Sequence, residues 1–358
     1  EFRRVLFRSS TVTVMGAELT VLPSAQADLA AFKVGDKVTL LLTTTGQVAG
    51  AVSPDVAKSN AVGVAEVKGT TATIKLLDGI LTLEGQTTYS EAAAAKLNGC
   101  LVTVSSYKRD YLTLSKVNGK GASTALNLTT NRMGTKELSA GARFFEQVGN
   151  GRLVEIDRSD ITITSIPANK ITYVGYDWAG RVDKLVLNDV TGDRYDYGII
   201  HYQPAGYQET PGNPDGNGEY KNGEISVTNG SFPKGMPPYV VGSVDGAKTN
   251  RMGGVAGSLD QLDGKNRMAA FMPLNEATGI RRAQFDTDAM LLTTNSMVIP
   301  ISDKVECYNK TTGDWFKPGE DGDHKAALNL ALAFSDDITV YYDRSPEEGG
   351  KVRIVVVE

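Results

Sequence analysis

Few residues in this chain could carry catalytic or metal chemistry. Only two histidines are present, His201 and His324, so the usual general base and imidazole ligand are scarce. His201 lies among aromatic residues in a predicted strand, and His324 lies in the first turn of a predicted helix. Both contexts favour a packed or solvated histidine, so we expect neither a histidine-dependent hydrolase nor a histidine-rich zinc site.

Two acidic stretches are candidate cation loops. Asp215–Glu219 spaces three oxygen ligands as a calcium loop does, but Ser226 stands where the bidentate glutamate is expected. In Gly319–Asp323, the acidic residues precede a predicted helix, where Asp323 can cap the positive end of the helix dipole. We therefore predict no metal site, no cofactor and no catalytic residue.

Other motifs are equally weak. Gly253, Gly254 and Gly257 could suggest a phosphate loop, but no Lys-Ser or Lys-Thr pair follows them, so we interpret them as turn glycines. Paired carboxylates for glycoside hydrolysis are not marked by any spacing in the sequence.

Four tyrosines could form a sugar-binding surface. Aromatic rings stack on sugars, but alternating tyrosines in a strand are also typical of cross-strand packing. Both interpretations stay open for Tyr195, Tyr197, Tyr202 and Tyr207.

Composition limits the partners. The 358 residues carry 37 Lys and Arg against 42 Asp and Glu, a net charge of −5, which gives no basic excess for nucleic acid. No apolar run approaches the roughly 20 residues of a membrane-spanning helix. Cys100 and Cys307 stand far apart, and we expect two buried thiols, with a disulfide between them as the alternative.

An internal repeat organises the second half of the chain. The phrase LTTNRM at Leu128–Met133 returns as LTTNSM at Leu292–Met297, 164 residues later. An aromatic strand, a turn glycine and a closing hairpin follow in the same order each time: Arg143–Glu146, Gly149, Lys170–Val174 and Gly180–Val182 in the first copy, and Glu306–Asn309, Gly313, Asp337–Tyr341 and Gly350–Val352 in the second. The order of the matches predicts two copies of one structural unit.

Shorter versions of this unit precede it. We predict helices capped by Ser24, by Ser90 and by Asp323, the last running from about His324 to Phe334, with a hairpin after each. A hairpin is also predicted around Asp78-Gly79. Because such helices are too short to be stable alone, each must pack on a sheet.

The fold class follows from these signals. We predict a mostly β protein made of tandem small β-barrel or β-sandwich modules, each with a short helix packed on the sheet. The expected division is a first module over 10–66, a second over 67–118, and a composite module over 119–358. In the composite module, repeat halves 119–190 and 288–358 flank an inserted β segment, 191–287. Within that segment, Gln203–Gly223 is rich in Pro, Gly and Asn, which predicts a long exposed loop.

The first nine residues look foreign to this pattern. EFRRVLFRS resembles the translation of a sequencing-library adapter, so we exclude residues 1–9 from the fold. Such a join also leads us to expect that the natural N-terminus is missing.

Three phrases resemble one family. ITYVGYDWAGRVDKLVLNDVTGDRYDY at 171–197, the closing segments CYNKTTGDWF and DDITVYYDRSPEEGGKVRIVVVE, and the opening GAELTVLPSAQADLAAFKVGDKVTLLL are similar to the C-terminal β-repeat region of bacterial surface-layer-homology (SLH) domain proteins. The resemblance implies export, a place on the cell surface through separate SLH modules, and cell-wall glycans or surface proteins as neighbours. The SLH modules themselves are not found in this sequence.

The sequence therefore predicts a non-catalytic structural or display segment of a secreted, surface-layer-associated protein. Two alternatives remain open. One is a carbohydrate-binding or adhesive module that uses the tyrosines, and the other is a carboxylate-dependent glycoside hydrolase.

Overall fold

The structure is a computed structural model, and it describes residues 10–14, 16–36, 38–53, 61–79, 82–108, 110–117, 119, 121–177, 179–209, 218–242, 244 and 247–358. These residues form mostly β structure in several sheets, two of which close into five-stranded barrels. The predicted class, a mostly β protein with small barrel modules, is confirmed. Residues 1–9, which resemble a translated adapter, lie outside the described residues. So do residues 215–217 of the candidate calcium loop.

Module 1 consists of two hairpins and one helix. Its elements are β1 (Thr11–Val14), β2 (Ala17–Thr20), α1 (Gln26–Ala30), β3 (Thr39–Leu42) and β4 (Val48–Val52). β1 pairs with β2 and β3 with β4, and a parallel bridge from Val21 to Val48 links the hairpins. Leu29 of α1 is buried in the core beside these two valines. The predicted Ser24 cap is wrong, because Ser24 lies inside a preceding 3-10 turn that begins at Pro23.

Module 2 is a closed barrel. Its elements are β5 (Val62–Lys68), β6 (Thr71–Leu76), β7 (Thr82–Thr87), α2 (Glu91–Ala95), β8 (Leu101–Lys108) and β9 (Tyr111–Lys116), with strand order β5-β6-β7-β9-β8. The Asp78-Gly79 hairpin is confirmed, with Ile74 opposite Leu83. Ser90 is at the N-cap of α2, but its side chain makes no capping hydrogen bond. The expected boundary between residues 66 and 67 falls inside β5, so the barrel begins earlier than predicted.

Module 3 is an open sheet. Its strands are β10 (Leu126–Asn127), β11 (Arg132–Met133), β12 (Lys136–Gln147), β13 (Val154–Ile156), β14 (Ser165–Ile166), β15 (Ile171–Tyr176) and β16 (Val182–Asn188). The order is β14-β10-β11-β12-β16-β15, and β13 pairs with β12. Between β13 and β15 the described residues form 3-10 turns and β14, so the short helix predicted for each module is not found in this part of module 3.

Module 4 is the second closed barrel. Its strands are β17 (Asp196–Gln203), β18 (Gly206–Glu209), β19 (Gly218–Lys221), β20 (Gly223–Thr228), β21 (Tyr239–Val241), β22 (Met252–Leu262) and β23 (Lys265–Pro273). The barrel order is β17-β20-β21-β23-β22. β18 and β19 form a separate hairpin, so the predicted loop Gln203–Gly223 is wrong in part: Tyr207 pairs with Tyr220 within it.

Module 5 carries the longest helix. Its elements are β24 (Asn275–Ile280), β25 (Phe285–Asp286), β26 (Leu291–Thr293), β27 (Val298–Asn309), β28 (Asp314–Phe316), α3 (His324–Phe334), β29 (Ile338–Tyr342) and β30 (Val352–Val357). The order is β24-β29-β30-β27-β26-β25, and β28 pairs with β27. The predicted helix and its cap are confirmed, because the Asp323 carboxylate accepts from the amides of Lys325 and Ala326.

Modules 2, 4 and 5 share one order of five strands, and modules 1 and 3 share part of it. In chain order, modules 2 and 4 have strands 1 to 5 arranged as 1-2-3-5-4, with strands 3 and 5 parallel. Module 5 has the same order, from β24 as strand 1 to β30 as strand 5, but it stays open between strands 1 and 2. Strands β1 to β4 of module 1, and β11, β12, β15 and β16 of module 3, match strands 2 to 5. This five-stranded Greek-key arrangement is that of the OB-type barrel.

The predicted repeat has a direct structural counterpart. The neighbour order β11-β12-β16-β15 in module 3 equals β26-β27-β30-β29 in module 5, and each long strand also carries a short partner, β13 or β28. The inserted segment between the copies, predicted to run to residue 287, ends before residue 275. β24 pairs with β29, so residues from 275 onwards belong to module 5.

By contact density the chain divides into two compact units. The first contains modules 1 and 2 with residues 131–142 and 173–185, and the second contains modules 4 and 5 with residues 125–130, 143–172 and 186–195. None of the helices in the described ranges combines the length and apolar character that a membrane crossing needs.

Glycines in the strands of module 4 permit close backbone packing. Gly253, Gly254 and Gly257 lie within β22 and not in a turn, so that prediction is wrong. A Cβ on Gly254 would meet the Tyr197 ring at 2.6 Å, and one on Gly257 would meet the Tyr239 ring at the same distance. These glycines give the tyrosine rings room to pack against the strand.

Gly198 in β17 gives a test of this packing. A Cβ there would lie 2.3 Å from the carbonyl oxygen of Thr228, which is backbone and cannot rotate away. We expect Gly198→Ala to lower the free energy of unfolding by about 1–3 kcal/mol, the usual cost of overpacking. Chemical denaturation measures this change. Gly206→Ala in β18, where no atom lies within 4 Å of the added Cβ, is the control, and an equal effect of both changes would contradict the packing argument.

Candidate functional site

The densest group of buried charges in the second unit surrounds Arg353. This side chain, on β30, is 2% exposed. Its guanidinium donates to Asp343 at 2.9 Å, to Ser302 at 3.1 Å and to Asp193. Its plane also lies over the Tyr197 ring, 5.0 Å from the centroid. Two carboxylates, a hydroxyl and an aromatic face thus replace the water that this cation loses on burial.

The same carboxylates hold the neighbouring backbone. Lys351 Nζ donates to Asp193 at 2.8 Å, and the amides of Lys351 and Arg344 donate to Asp343, each at 2.8 Å. Burial alone would raise the pKa of Asp193, but the Arg353 and Lys351 charges outweigh it and hold that pKa below its ordinary value. Asp193 is therefore ionised over the physiological range.

The connection between modules 3 and 4, residues 189–193, is fixed from two sides. Glu146 on β12 is fully buried and accepts from the amides of Val190 and Thr191 and from the Thr191 hydroxyl. From module 5, Arg344 donates to the Val190 carbonyl at 2.9 Å and Arg353 donates to the Thr191 carbonyl. We call this set of contacts the linker clamp.

Gly192 lies at the centre of the linker clamp. Its φ is +73°, and an added Cβ would stand 2.3 Å from Asp343 Oδ2 and 2.4 Å from Arg353 Nη2. The Tyr197 hydroxyl donates to its carbonyl at 2.8 Å. Only glycine fits this conformation and this space.

Apolar packing reinforces the linker clamp. Tyr195 and Tyr197 of module 4 pack with Ile354 and Val356 of β30 and with Val148 in one buried cluster. Their rings lie 5.9 Å apart. Modules 4 and 5 therefore share a continuous core within the second unit.

A small cavity lies beside the linker clamp. Its volume is about 90 Å³, and its wall includes Glu306, Asp196, His324, Lys304 and Ser231. Ligand pockets usually enclose about 300 Å³ or more. The cavity can hold a few water molecules but is too small for a sugar ring between two carboxylates.

Glu306 on β27 lines this cavity, and its pKa is strongly raised. Burial raises its pKa to about 7, although the Gly230 amide at 2.9 Å and the Ser231 hydroxyl at 3.2 Å favour the ionised form. Asp196 adds to the effect, and its own pKa is raised by burial. Both carboxyl groups thus hold protons more firmly than in water.

Each histidine makes a hydrogen-bond contact within the fold. His201 is exposed and bonds the Thr228 hydroxyl at 2.7 Å. His324 Nδ1 lies 3.1 Å from the Val305 carbonyl and 3.8 Å from Glu306, and burial lowers its pKa. The structure brings His324 to the cavity and leaves His201 apart from it.

The tyrosines considered for sugar binding are used elsewhere. Tyr195 and Tyr197 are buried in the shared core and present no stacking face. Tyr202 packs partly against the module 4 core, and the side chain of Tyr207 lies outside the described residues.

The remaining candidates show no ligand-binding arrangement in the part of the chain that the structure describes. Among the described residues no group of three metal-ligating side chains occurs. Cys100 and Cys307 are both free and buried, in different compact units. An open groove of about 520 Å³ on β5, β6 and β7 is lined by charged and polar side chains and Val67, without an aromatic ring.

The linker clamp was missed by sequence reasoning, although a signal existed. Arg353 interrupts the apolar run VRIVVV, and Glu146 ends the aromatic strand RFFE. A charge inside a buried strand needs a partner, but the sequence does not show which one.

Comparison of the chain with protein-family models, with curated proteins and with solved structures gives no match.

The linker clamp makes a direct prediction. Arg353→Met removes the cation while keeping an apolar stem, so Asp193 and Asp343 lose their shared partner. We expect the free energy of unfolding of the second unit to fall by about 3–5 kcal/mol, the usual result of breaking a buried ion pair. Chemical denaturation measures it.

Lys325→Ala is the matched control. Its partner Asp288 is almost fully exposed, so the loss should stay below about 1 kcal/mol. If both substitutions cost the same, the linker clamp does not stabilise this unit.

Proposed function

We propose that this chain is a non-catalytic structural and display segment of a secreted, surface-layer-associated bacterial protein. The observation that carries the proposal is the linker clamp, which fixes the connection between modules 3 and 4 with buried groups from modules 3 and 5. A spacer needs joints that resist bending and proteolysis, and burial of a connection in this way supplies that resistance.

The repeated strand arrangement supports the same proposal. Five modules with the same strand order, in full or in part, follow each other in the chain, as in tandem repeat proteins. An OB-type barrel does not by itself indicate a function, because the same fold serves many. The resemblance to the repeat region of SLH proteins supplies the expected location on the cell surface.

The two alternatives have less support. A sugar-binding surface on the tyrosines is not favoured, because two of these side chains form the shared core. A glycoside hydrolase needs a cleft around its carboxylates, and Glu306 and Asp196 share only the small cavity.

A display experiment tests the proposal. The chain is fused, behind a secretion signal, between an SLH anchoring module and a C-terminal epitope, and the epitope is counted on intact cells with an antibody. We expect several-fold more antibody binding than with the anchor joined directly to the epitope, and we expect the epitope to survive brief trypsin treatment. The same fusion carrying Arg353→Met should release the epitope faster.

Two outcomes would contradict the proposal. One is an epitope that is released by trypsin as fast from the wild-type fusion as from the Arg353→Met fusion. The other is turnover of glycosides by the purified chain that disappears in Glu306→Gln, which would make the hydrolase the better reading.

A further inference from the structure

Glu306 connects two modules through a single carboxyl group. The residue is on β27 of module 5 and is 5% exposed, while its two hydrogen-bond donors, Gly230 and Ser231, follow β20 of module 4. An added Cβ on Gly230 would lie 2.7 Å from the Phe316 carbonyl oxygen and 2.9 Å from Glu306 Oε2. The loop is therefore seated closely on module 5, with the carboxyl group at the point of contact.

The loop has its own internal support. Asn229 donates to the Tyr197 carbonyl at 2.8 Å and accepts from the Phe232 amide at 2.6 Å. The loop shape is thus set within module 4, and Glu306 attaches this preformed loop to module 5.

We propose that the contact between Glu306 and the loop Asn229–Phe232 is a proton-controlled clasp, closed at mildly acidic pH and loosened as the pH becomes neutral to alkaline. The proposal is independent of the display function, because it rests on this contact alone.

The physical reason is the environment of the carboxyl group. When Glu306 is protonated, it is neutral, and its hydrogen has an acceptor in the Ser231 hydroxyl oxygen, 3.2 Å from Oε1. When it is ionised, a buried charge faces one amide and one hydroxyl, with Asp196 adding repulsion. Opening the loop lets water reach the charge, so ionisation favours opening.

The sign of the pH dependence follows from linkage. The folded-state pKa of about 7 lies above the ordinary 4.5, so the stabilising contribution is complete below pH 4.5 and is lost as the pH rises through 7. Asp196 acts in the same direction because its pKa is also raised.

Other charged groups face Glu306 and act differently. His324 on α3 has a lowered pKa, so its contribution to the stability of the folded state is present at neutral pH and is lost in acid. The pKa of Arg353 on β30 is raised and that of Asp193 in the linker clamp is lowered, so both keep their charges from pH 5.5 to 8. Lys304 on β27 also lines the cavity. Because His324 opposes Glu306 in global stability, a local measurement on the loop is needed.

Amide hydrogen exchange of the full chain supplies that measurement. Protection of the amides from Asn229 to Phe232 is compared at pH 5.5 and pH 8.0 after correction for the intrinsic exchange rate. We expect the loop to open on the order of 20-fold more readily at pH 8.0, from the shift between 4.5 and about 7.

Two substitutions identify the group. Glu306→Gln keeps the shape and stays neutral, so its loop protection should change less than about threefold over the same range. Asp196→Asn removes the repulsion and should shift the midpoint of loop opening to lower pH. Glu348→Gln, an exposed glutamate of the same module, is the control and should behave like the wild type.

Two results would overturn the clasp. One is wild-type protection that does not change with pH, and the other is an unchanged pH dependence in Glu306→Gln. If Glu306→Gln unfolds the second unit, the Asp196→Asn midpoint decides: a midpoint equal to that of the wild type rejects the proposal.

Discussion

The second compact unit depends on how one buried cation is neutralised. Arg353 is enclosed by strands and cannot reach water, so its charge must be balanced by Asp343 and Asp193. Asp343 lies near Arg353 in the chain, but Asp193 is 160 residues away. With Asp193 held there, the connection donates its Val190 and Thr191 amides to Glu146 and accepts from Arg344 at the Val190 carbonyl. Module 4 is thus held against module 5 by a charge requirement as well as by apolar packing.

The energetic balance of such a group is asymmetric. A complete buried ion-pair network contributes little more than apolar residues of the same shape, but a network that has lost one member is strongly destabilised. The linker clamp therefore acts mainly by favouring one arrangement of the connection over others. Alternative placements would leave a carboxylate or the guanidinium unpaired. Gly192 restricts the arrangement sterically as well, because any side chain there would occupy the space of Asp343 and Arg353.

Glu306 shows a different use of a buried charge. Its two donors are neutral groups, and no cation contacts it in the described residues apart from the nearby His324, whose own pKa is lowered. The linker clamp and the Glu306 contact both involve module 5, and burial raises the pKa of Glu306 to about 7. A joint can in this way combine a permanent attachment with one that responds to protons.

Local sequence patterns predicted the local elements correctly. The Asp78-Gly79 turn, the helix capped by Asp323 and the two ordered repeats depend on interactions between residues close in the chain or on periodicity, and these are confirmed. Local patterns failed where a distant contact decided the outcome: Gly254 is a strand glycine because Tyr197 packs above it, and Tyr195 is a core residue because β30 covers it. The closure of two sheets into barrels, the partners of Arg353 and the raised pKa of Glu306 were decided only by the tertiary structure. Burial and charge pairing are properties of groups that the fold brings together from positions up to 160 residues apart, and no local pattern records them.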